Sequence, residues 1–212
     1  YAVLFIVQSL DAIGKDSTIR RCFGPLNPQR CRVAGFKEPT DRELRHDFLW
    51  RIHSRVPPRG YIGIFNRSHY EDVLVGAVKG EIDSAEVNKR LDHIRAFERL
   101  LFDEGTIIRK IFLHARKEYQ KQRLQRRLRR EDKRWKFSTK DLRERRYWDE
   151  YRGMYEEIFR QTSTAFAPWY VIPAENRWYR DGIVTSLLHQ TLSSLDLTFP
   201  QPDFDPGKIE IT

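Results

Sequence analysis

The chain opens on an uncharged apolar run, Tyr1 to Gln8 (YAVLFIVQ), and passes at once into a loop that ends in Gly14-Lys15. So short and uniformly apolar a run is expected of a strand buried on both faces, at the centre of a parallel sheet. It has no basic lead-in and ends in Gln8, so it does not read as a secretory leader. No stretch approaches the 18 apolar residues of a membrane-spanning helix, and no membrane partner is expected. Cys22 and Cys31 are too few for a disulfide scaffold or a zinc site, which fits a reducing, cytoplasmic setting.

Strand-like and helix-like segments then alternate. Arg32–Phe36, Tyr61–Phe65, Thr106–Leu113 and Trp169–Ile172 are predicted strands. Helices are predicted from Lys15, over Asp41–His53, over Ala85–Phe102, along the Trp148–Phe159 face, and over Gly182–Leu195. Thr40 with Glu43 makes a capping box for the second of these, and Pro57-Pro58 stops it. The tail from Thr198, with Pro200, Pro202 and Pro206, reads as irregular. Apolar residues make up 40% of the 212, enough for one core, so a single domain over 1–212 is expected. The alternation predicts a three-layer α/β fold, a parallel sheet with helices on both faces. Ligands in such sheets bind at the carboxyl ends of the strands. The loops after Gln8, Phe65 and Leu113 therefore carry the functional expectation.

The first of these loops, Ser9 to Thr18, compares with the phosphate-binding pattern G-x-x-x-x-G-K-[ST]. Gly14-Lys15 fit, between a strand and a helix. Ser9 stands at the first Gly and Asp16 at the Ser/Thr position. Backbone N–H groups at the helix start can cradle an anion, and Lys15 can reach a phosphate oxygen. An ordinary strand-to-helix turn with a solvated Lys is the alternative. Asp11 inside an anion-binding loop calls for a compensating cation, such as Mg2+ bridging to phosphate; a local turn hydrogen bond is the plainer role for an Asp.

After Phe65 the chain reads Asn66-Arg67-Ser68-His69-Tyr70-Glu71-Asp72. The Arg67 fork can hold a transferring phosphoryl group, while Glu71 and Asp72 equally suit a helix N-terminus. Charge is concentrated further on. The chain has a net charge of +9, yet Arg116–Arg146 alone holds 15 Lys/Arg against 5 Asp/Glu, so the rest is nearly neutral. This segment reads as a basic lid over a polyanion, or as a solvated or nucleic-acid-binding helix pair. No nucleic-acid recognition motif accompanies it.

Several blocks together resemble the polyphosphate kinase 2 family of P-loop kinases. They are D-A-x-G-K-D at Asp11–Asp16, F-G-x-L-N-P at Phe23–Pro28, F-K-x-P-T at Phe36–Thr40 and H-D-F-L-W-R-I-H at His46–His53. I-G-I-F-N-R-S-H-Y-E-D-V-L-V follows at Ile62–Val75, then K-R-W-K-F-S at Lys133–Ser138 and A-P-W-Y-V-I-P-A at Ala167–Ala174. The resemblance implies transfer of the terminal phosphoryl group of inorganic polyphosphate to a nucleotide, reversibly, with Mg2+ as cofactor. It implies Asp11, Lys15, Arg67 and Arg127 as catalytic residues, with Asp11 on the Mg2+. Ala12, Gly14, Asp16, Ser17, Thr18, Lys37, Arg51, Asn66, Glu71, Lys133 and Lys136 are the implied substrate contacts. The F-N-R-S-x-Y-E-D block resembles the third class, which accepts nucleoside mono- and diphosphates, with Glu71 as candidate selector between AMP and ADP. A homodimer or homotetramer is implied as well. The chain departs from the family pattern at Ser9, at Ser17, at Asp181 where an Arg is usual, and at Glu131-Asp132 in the lid. A weakened polyanion-binding module and an ATP-dependent nucleoside monophosphate kinase are the competing readings.

Overall fold

Residues 1–198 and 202–204 are described by the structure, a computed structural model; the tail expected to be irregular lies almost wholly outside them. Among the described residues five strands form one parallel sheet in the order β2-β3-β1-β4-β5. They are β1 (Ala2–Ser9), β2 (Cys31–Gly35), β3 (Ile62–Asn66), β4 (Thr106–His114) and β5 (Trp169–Pro173). All eight residues of β1 are buried, as the apolar opening requires of the central strand. Each fully buried Leu, Ile or Phe there contributes about 1.5–3 kcal/mol. The chain runs outward to β2, returns to β3, then crosses β1 to reach β4. Val7 is in register with both Asn66 and Ile111. The loops after β1 and β3 therefore leave the sheet side by side, at the point where strand order reverses.

Alternation along β1 divides the core in two. Leu4 and Ile6 pack on one face with α3 (Tyr70–Lys79), α4 (Ser84–Asp103) and α8 (Trp148–Thr162). Val3, Phe5 and Val7 pack on the other with α1 (Lys15–Cys22) and α9 (Arg177–Ser193). Asp83 caps α4 by accepting from the Glu86 N–H at 2.8 Å. Gly80, at φ 71, ends α3 in the left-handed conformation. Helix α9 begins five residues before the expected Gly182, because Asn176 supplies its cap by accepting from the Tyr179 N–H.

The helix expected over Asp41–His53 is corrected. It is a 3-10 turn (Glu43–Arg45), an extended His46, and the four-residue α2 (Trp50–His53). The capping box does form, with the Thr40 N–H donating to Glu43 Oε2 at 2.8 Å and the Glu43 N–H to Thr40 Oγ1 at 3.3 Å. Asp47 Oδ1 then takes the Leu49 N–H at 3.0 Å, a local turn that competes with helix continuation.

The basic segment leaves β4 as α5 (Lys117–Arg129), α6 (Glu131–Arg134) and α7 (Thr139–Glu144), with a 3-10 turn (Arg145–Tyr147) leading into α8. Gln120 and Leu124 are the buried residues of α5. Polar contacts tie the segment to the body. Lys79 Nζ pairs with Glu144 Oε1 at 2.7 Å, and Lys140 pairs with Glu38. No helix among the described residues is long and apolar enough to cross a membrane.

Candidate functional site

The loop after β1 is built by backbone conformation. Ser9 is the last residue of β1 and is not left-handed, so a side chain at that position strains nothing. Ala12 has φ 63, which costs roughly 1–2 kcal/mol for a non-glycine residue. Gly14 has φ 122, and a Cβ there would lie 2.9 Å from Arg180 Nη1. Conformation thus requires glycine here, and a Cβ would also have to displace the end of the Arg180 side chain. Helix α1 starts immediately after, with its first N–H groups free of intrahelical partners. Ser17 Oγ donates to the Gly14 carbonyl at 2.7 Å, so the Ser17 departure reinforces the turn.

Lys15 is buried beside this turn, and burial pulls its ammonium down to about pKa 8, against the attraction of Glu71, Asp11 and Asp16. Asp11 Oδ1 accepts from Arg67 Nη2 at 2.8 Å. Arg67 has φ 66 and is, with Ala12, one of two left-handed non-glycine residues among those described. Both strained residues flank the same point, as functional loops often show. Glu71 Oε2 lies 3.8 Å from Arg67 Nη1; burial raises the Glu71 carboxyl pKa, while Arg67 and Lys15 oppose the rise. Asn66 Nδ2 donates to Asp16 Oδ1 at 2.9 Å, linking the two loops.

Two cavities meet here, and their linings differ in charge. The first, about 630 Å³, is lined by twelve Lys/Arg and three carboxylates, Asp11, Asp16 and Asp141. Six of these cations come from α1, α9 and the loops after β2 and β3, and six from the basic segment, Arg123, Arg126, Arg127, Arg130, Lys133 and Lys136. The second, about 790 Å³, is lined by seven Lys/Arg and seven Asp/Glu, with Phe36, Trp148, Tyr151, Tyr155 and several aliphatic side chains. Asp11, Arg67, Lys37 and Asp141 line both. One chamber suits a long polyanion; the other suits a molecule with an aromatic body and an anionic end.

Most of the residues singled out in the sequence converge on these chambers. Asp11, Ala12, Gly14, Lys15, Asp16, Ser17, Lys37, Asn66, Arg67, Arg127, Lys133 and Lys136 line the first, and Glu71 the second. Thr18 lines neither; it is buried, and its Oγ1 donates to the Gly14 carbonyl at 3.3 Å. Arg51 lines the second chamber but is spent on structure, donating to both Asp72 oxygens at 3.0 and 3.3 Å and to the Lys37 carbonyl at 2.8 Å. Arg127 Nη1 donates to Asp141 Oδ2 at 2.9 Å.

Three contributors went unsignalled in the sequence. Gln120 Nε2 donates to the Asp11 carbonyl at 2.9 Å, and Arg123 Nε to the Ala12 carbonyl at 3.4 Å, so α5 is fastened to the phosphate loop. Arg180, 1% exposed, packs its guanidinium against Gly14. The positive charge looked for at Asp181 is thus provided one residue earlier, while Asp181 pairs with Arg21 at 2.5 Å and accepts from Arg180 Nε at 2.9 Å.

The geometry agrees with what the chain is similar to. The family model described as polyphosphate kinase 2 matches residues 1–199. An AMP/ADP-polyphosphate phosphotransferase of Meiothermus ruber is 52% identical over 211 residues, covering 100% of this chain and 79% of the relative. An ADP-polyphosphate phosphotransferase of Rhodopseudomonas palustris is 42% identical over 213 residues, covering 95% and 74%. The crystal structure of polyphosphate kinase 2 from Arthrobacter aurescens TC1 matches with a TM-score of 0.95 at 44% identity, covering 97% of this chain and 73% of that one. A phosphate loop facing a cationic chamber and a family match along nearly the whole chain lead to one conclusion: this chain belongs to the polyphosphate kinase 2 family.

Proposed function

We propose that the chain transfers the terminal phosphoryl group of inorganic polyphosphate to AMP as well as ADP, giving ADP and ATP, and in reverse returns the terminal phosphoryl group of the nucleotide product to the polyphosphate chain, at the seam between its two chambers. As a family member it is a polyphosphate-dependent nucleotide kinase. The observation that carries the finer reading is the unequal charge of two chambers that share Asp11 and Arg67. Polyphosphate, with about one charge per unit, fits the chamber with twelve cations. The nucleotide fits the mixed chamber, its base among the aromatic and aliphatic side chains and its phosphate at the seam. The name of the Meiothermus ruber relative, which gives both AMP and ADP, supports the broad acceptor range.

The acceptor phosphate is already an anion, so no strong general base is needed. Positioning and charge neutralisation are the main tasks. Lys15 and Arg67 neutralise oxygens of the phosphoryl group in transfer. Arg127, Lys133 and Lys136 bring positive charge from the basic segment, which acts as a lid and excludes water. Lys37 and Asn66 orient phosphates at the seam, and the Ala12–Ser17 backbone cradles the donor.

Among the described residues no group of three or more His, Cys, Asp or Glu could hold a metal. Mg2+ does not need one: it is commonly held by one or two carboxylates together with substrate phosphates. Asp11, with Asp141 on the same seam, fits that role. Bound Mg2+ would neutralise phosphate oxygens on both substrates. The cytoplasm suits these substrates and two free cysteines. Assembly as a dimer or tetramer is part of the same reading, supported by exposed Val171 on the edge strand β5 and by exposed Trp178 and Tyr179.

The test is an incubation of purified protein with long-chain polyphosphate, Mg2+ and either AMP or ADP, with products separated by chromatography. ADP and ATP from AMP, and ATP from ADP, are expected. ATP from ADP alone would overturn the AMP assignment. No product, with salt-sensitive polyphosphate binding retained, would leave a binding module. Glu71→Asn removes a carboxylate 3.8 Å from Arg67, and so removes repulsion that weighs most on the more highly charged acceptor. The ratio of kcat/KM for ADP over AMP is expected to rise about tenfold, equivalent to about 1.4 kcal/mol. An unchanged ratio would free Glu71 of the selector role.

A further inference from the structure

Behind the Arg67 loop lies a buried polar cluster that the reaction itself does not use. Glu98 on α4 is 1% exposed; Lys110 on β4, His69 and Tyr70 are fully buried. Glu98 Oε2 accepts from Lys110 Nζ at 2.5 Å, and Oε1 accepts from the Tyr70 hydroxyl at 2.8 Å. Oε1 also faces His69 Nε2 at 3.3 Å. Lys110 Nζ donates onward to the Thr162 carbonyl at 2.8 Å and lies 3.0 Å from the Tyr70 oxygen. Burial raises the Glu98 carboxyl pKa, but Lys110 and His69 more than offset it, and the net direction is down. The ionised carboxylate can only accept, which assigns the proton on His69 to Nε2 and leaves Nδ1 without a partner.

The residues this carboxylate grips, His69 and Tyr70, follow directly on Arg67 and Ser68. On the other side the loop is held by the Arg67 N–H on the Val7 carbonyl at 3.1 Å and by Gln8 Nε2 donating to Ser68 Oγ at 3.2 Å. Arg67, left-handed at φ 66, is therefore fixed between two anchors. Were the second anchor lost, the loop could relax to an ordinary backbone conformation, and the guanidinium would leave Asp11. A buried ion pair is weak as a stabilising device, since apolar side chains of similar volume often serve as well or better. A positioning task accounts for its four polar side chains better.

We propose that Glu98, with Lys110, is a positioning residue for phosphoryl transfer: it clamps His69 and Tyr70 and through them holds Arg67 in the left-handed conformation that places its guanidinium at the seam. This rests on the reading of Arg67 as a phosphoryl-binding residue.

The experiment compares Glu98→Gln, the double variant Glu98→Leu with Lys110→Met, and Arg67→Ala, singly and with each cluster variant placed on the Arg67→Ala background. Thermal stability, kcat and both KM values are read. Glu98→Gln is expected to lower kcat about tenfold while both KM values stay within about twofold. The double variant removes both charges at once and is expected to keep or raise Tm while kcat remains low. On the Arg67→Ala background neither cluster variant should lower kcat further, the non-additivity of residues that act through one another. A stable double variant with full kcat would make the cluster purely structural and overturn the proposal. A further fall on the Arg67→Ala background would show that the cluster acts elsewhere and would overturn it too. Full activity of Arg67→Ala alone would instead remove the reading of Arg67. If Glu98→Gln fails to fold, the double variant decides.

Discussion

Lys15→Ala is expected to cut turnover about 1,000-fold, the upper range for removing one preorganised group that stabilises developing charge, while the protein stays folded. The fold is spared because α1 is held to β1 by Ile19, Cys22 and Phe23 in the core beneath the loop, not by Lys15. The loss of rate follows from position. Lys15 sits buried beside the phosphate turn, in the field of Arg67 and Asp11, and lines the cationic chamber with them. The same burial that brings its ammonium to about pKa 8 makes a pH signature. Below that value the side chain is a cation; above it, a neutral amine. Polyphosphate affinity of the nucleotide-free protein is therefore expected to fall as pH rises through about 8, with the slope of one proton. The internal phosphates of a long chain are strong acids and add no titration there, and the Lys15→Ala variant subtracts whatever the two chain ends contribute. In Lys15→Ala the affinity should be weaker and flat across that window. Binding measured by competition over the window checks the slope, and a rate assay checks turnover. Full activity in Lys15→Ala would remove the phosphate-loop assignment.

What could be foreseen of this site follows a physical division. An eight-residue apolar run has few ways to be buried, so β1 and the loop behind it were legible from Tyr1–Gln8 and Gly14-Lys15 alone. The Arg67 loop was legible because it leaves a second apolar strand, and parallel register with β1 brings it alongside. Asp41–His53 departs from its expected helix because the start signal is real and the interruption is local: the side chain of Asp47 captures a backbone N–H that the helix would have used. The sequence expects helix α9 to begin later than it does because Trp178 and Tyr179 stand exposed in its first turn and blur the apolar stripe. Gln120, Arg123 and Arg180 were missed for another reason. Each reaches the phosphate loop from far along the chain, and nothing in its own neighbourhood marks that contact. The two chambers were invisible for the same cause, since both take part of their lining from the basic segment and exist only once it has folded back over the sheet.

The charge balance of the seam makes a second large effect expected, from Asp11→Asn. Asn keeps the size of the side chain, and its carbonyl oxygen can still accept from Arg67 Nη2 as Asp11 Oδ1 does at 2.8 Å. The Gln120 bond to the Asp11 backbone carbonyl is untouched, so α5 stays fastened. The loop is therefore expected to keep its shape and lose one negative charge. In a chamber with twelve cations that loss should, if anything, tighten polyphosphate binding in the absence of metal. Turnover should move the other way and fall about 1,000-fold, because the Mg2+ that Asp11 would hold, and the phosphate charge it would neutralise, would lose their protein carboxylate. The opposed signs are the diagnostic. A residue that merely shaped the loop would weaken binding and turnover together. Polyphosphate affinity without metal, kcat with saturating substrates, and the Mg2+ concentration for half-maximal rate separate the cases. Tighter or equal metal-free binding, a collapsed kcat and a raised Mg2+ requirement would mark Asp11 as the metal-side carboxylate. An unchanged Mg2+ requirement with near-normal kcat would reduce it to an anchor for Arg67, and the metal would then have to rest on Asp141, the other carboxylate lining both chambers.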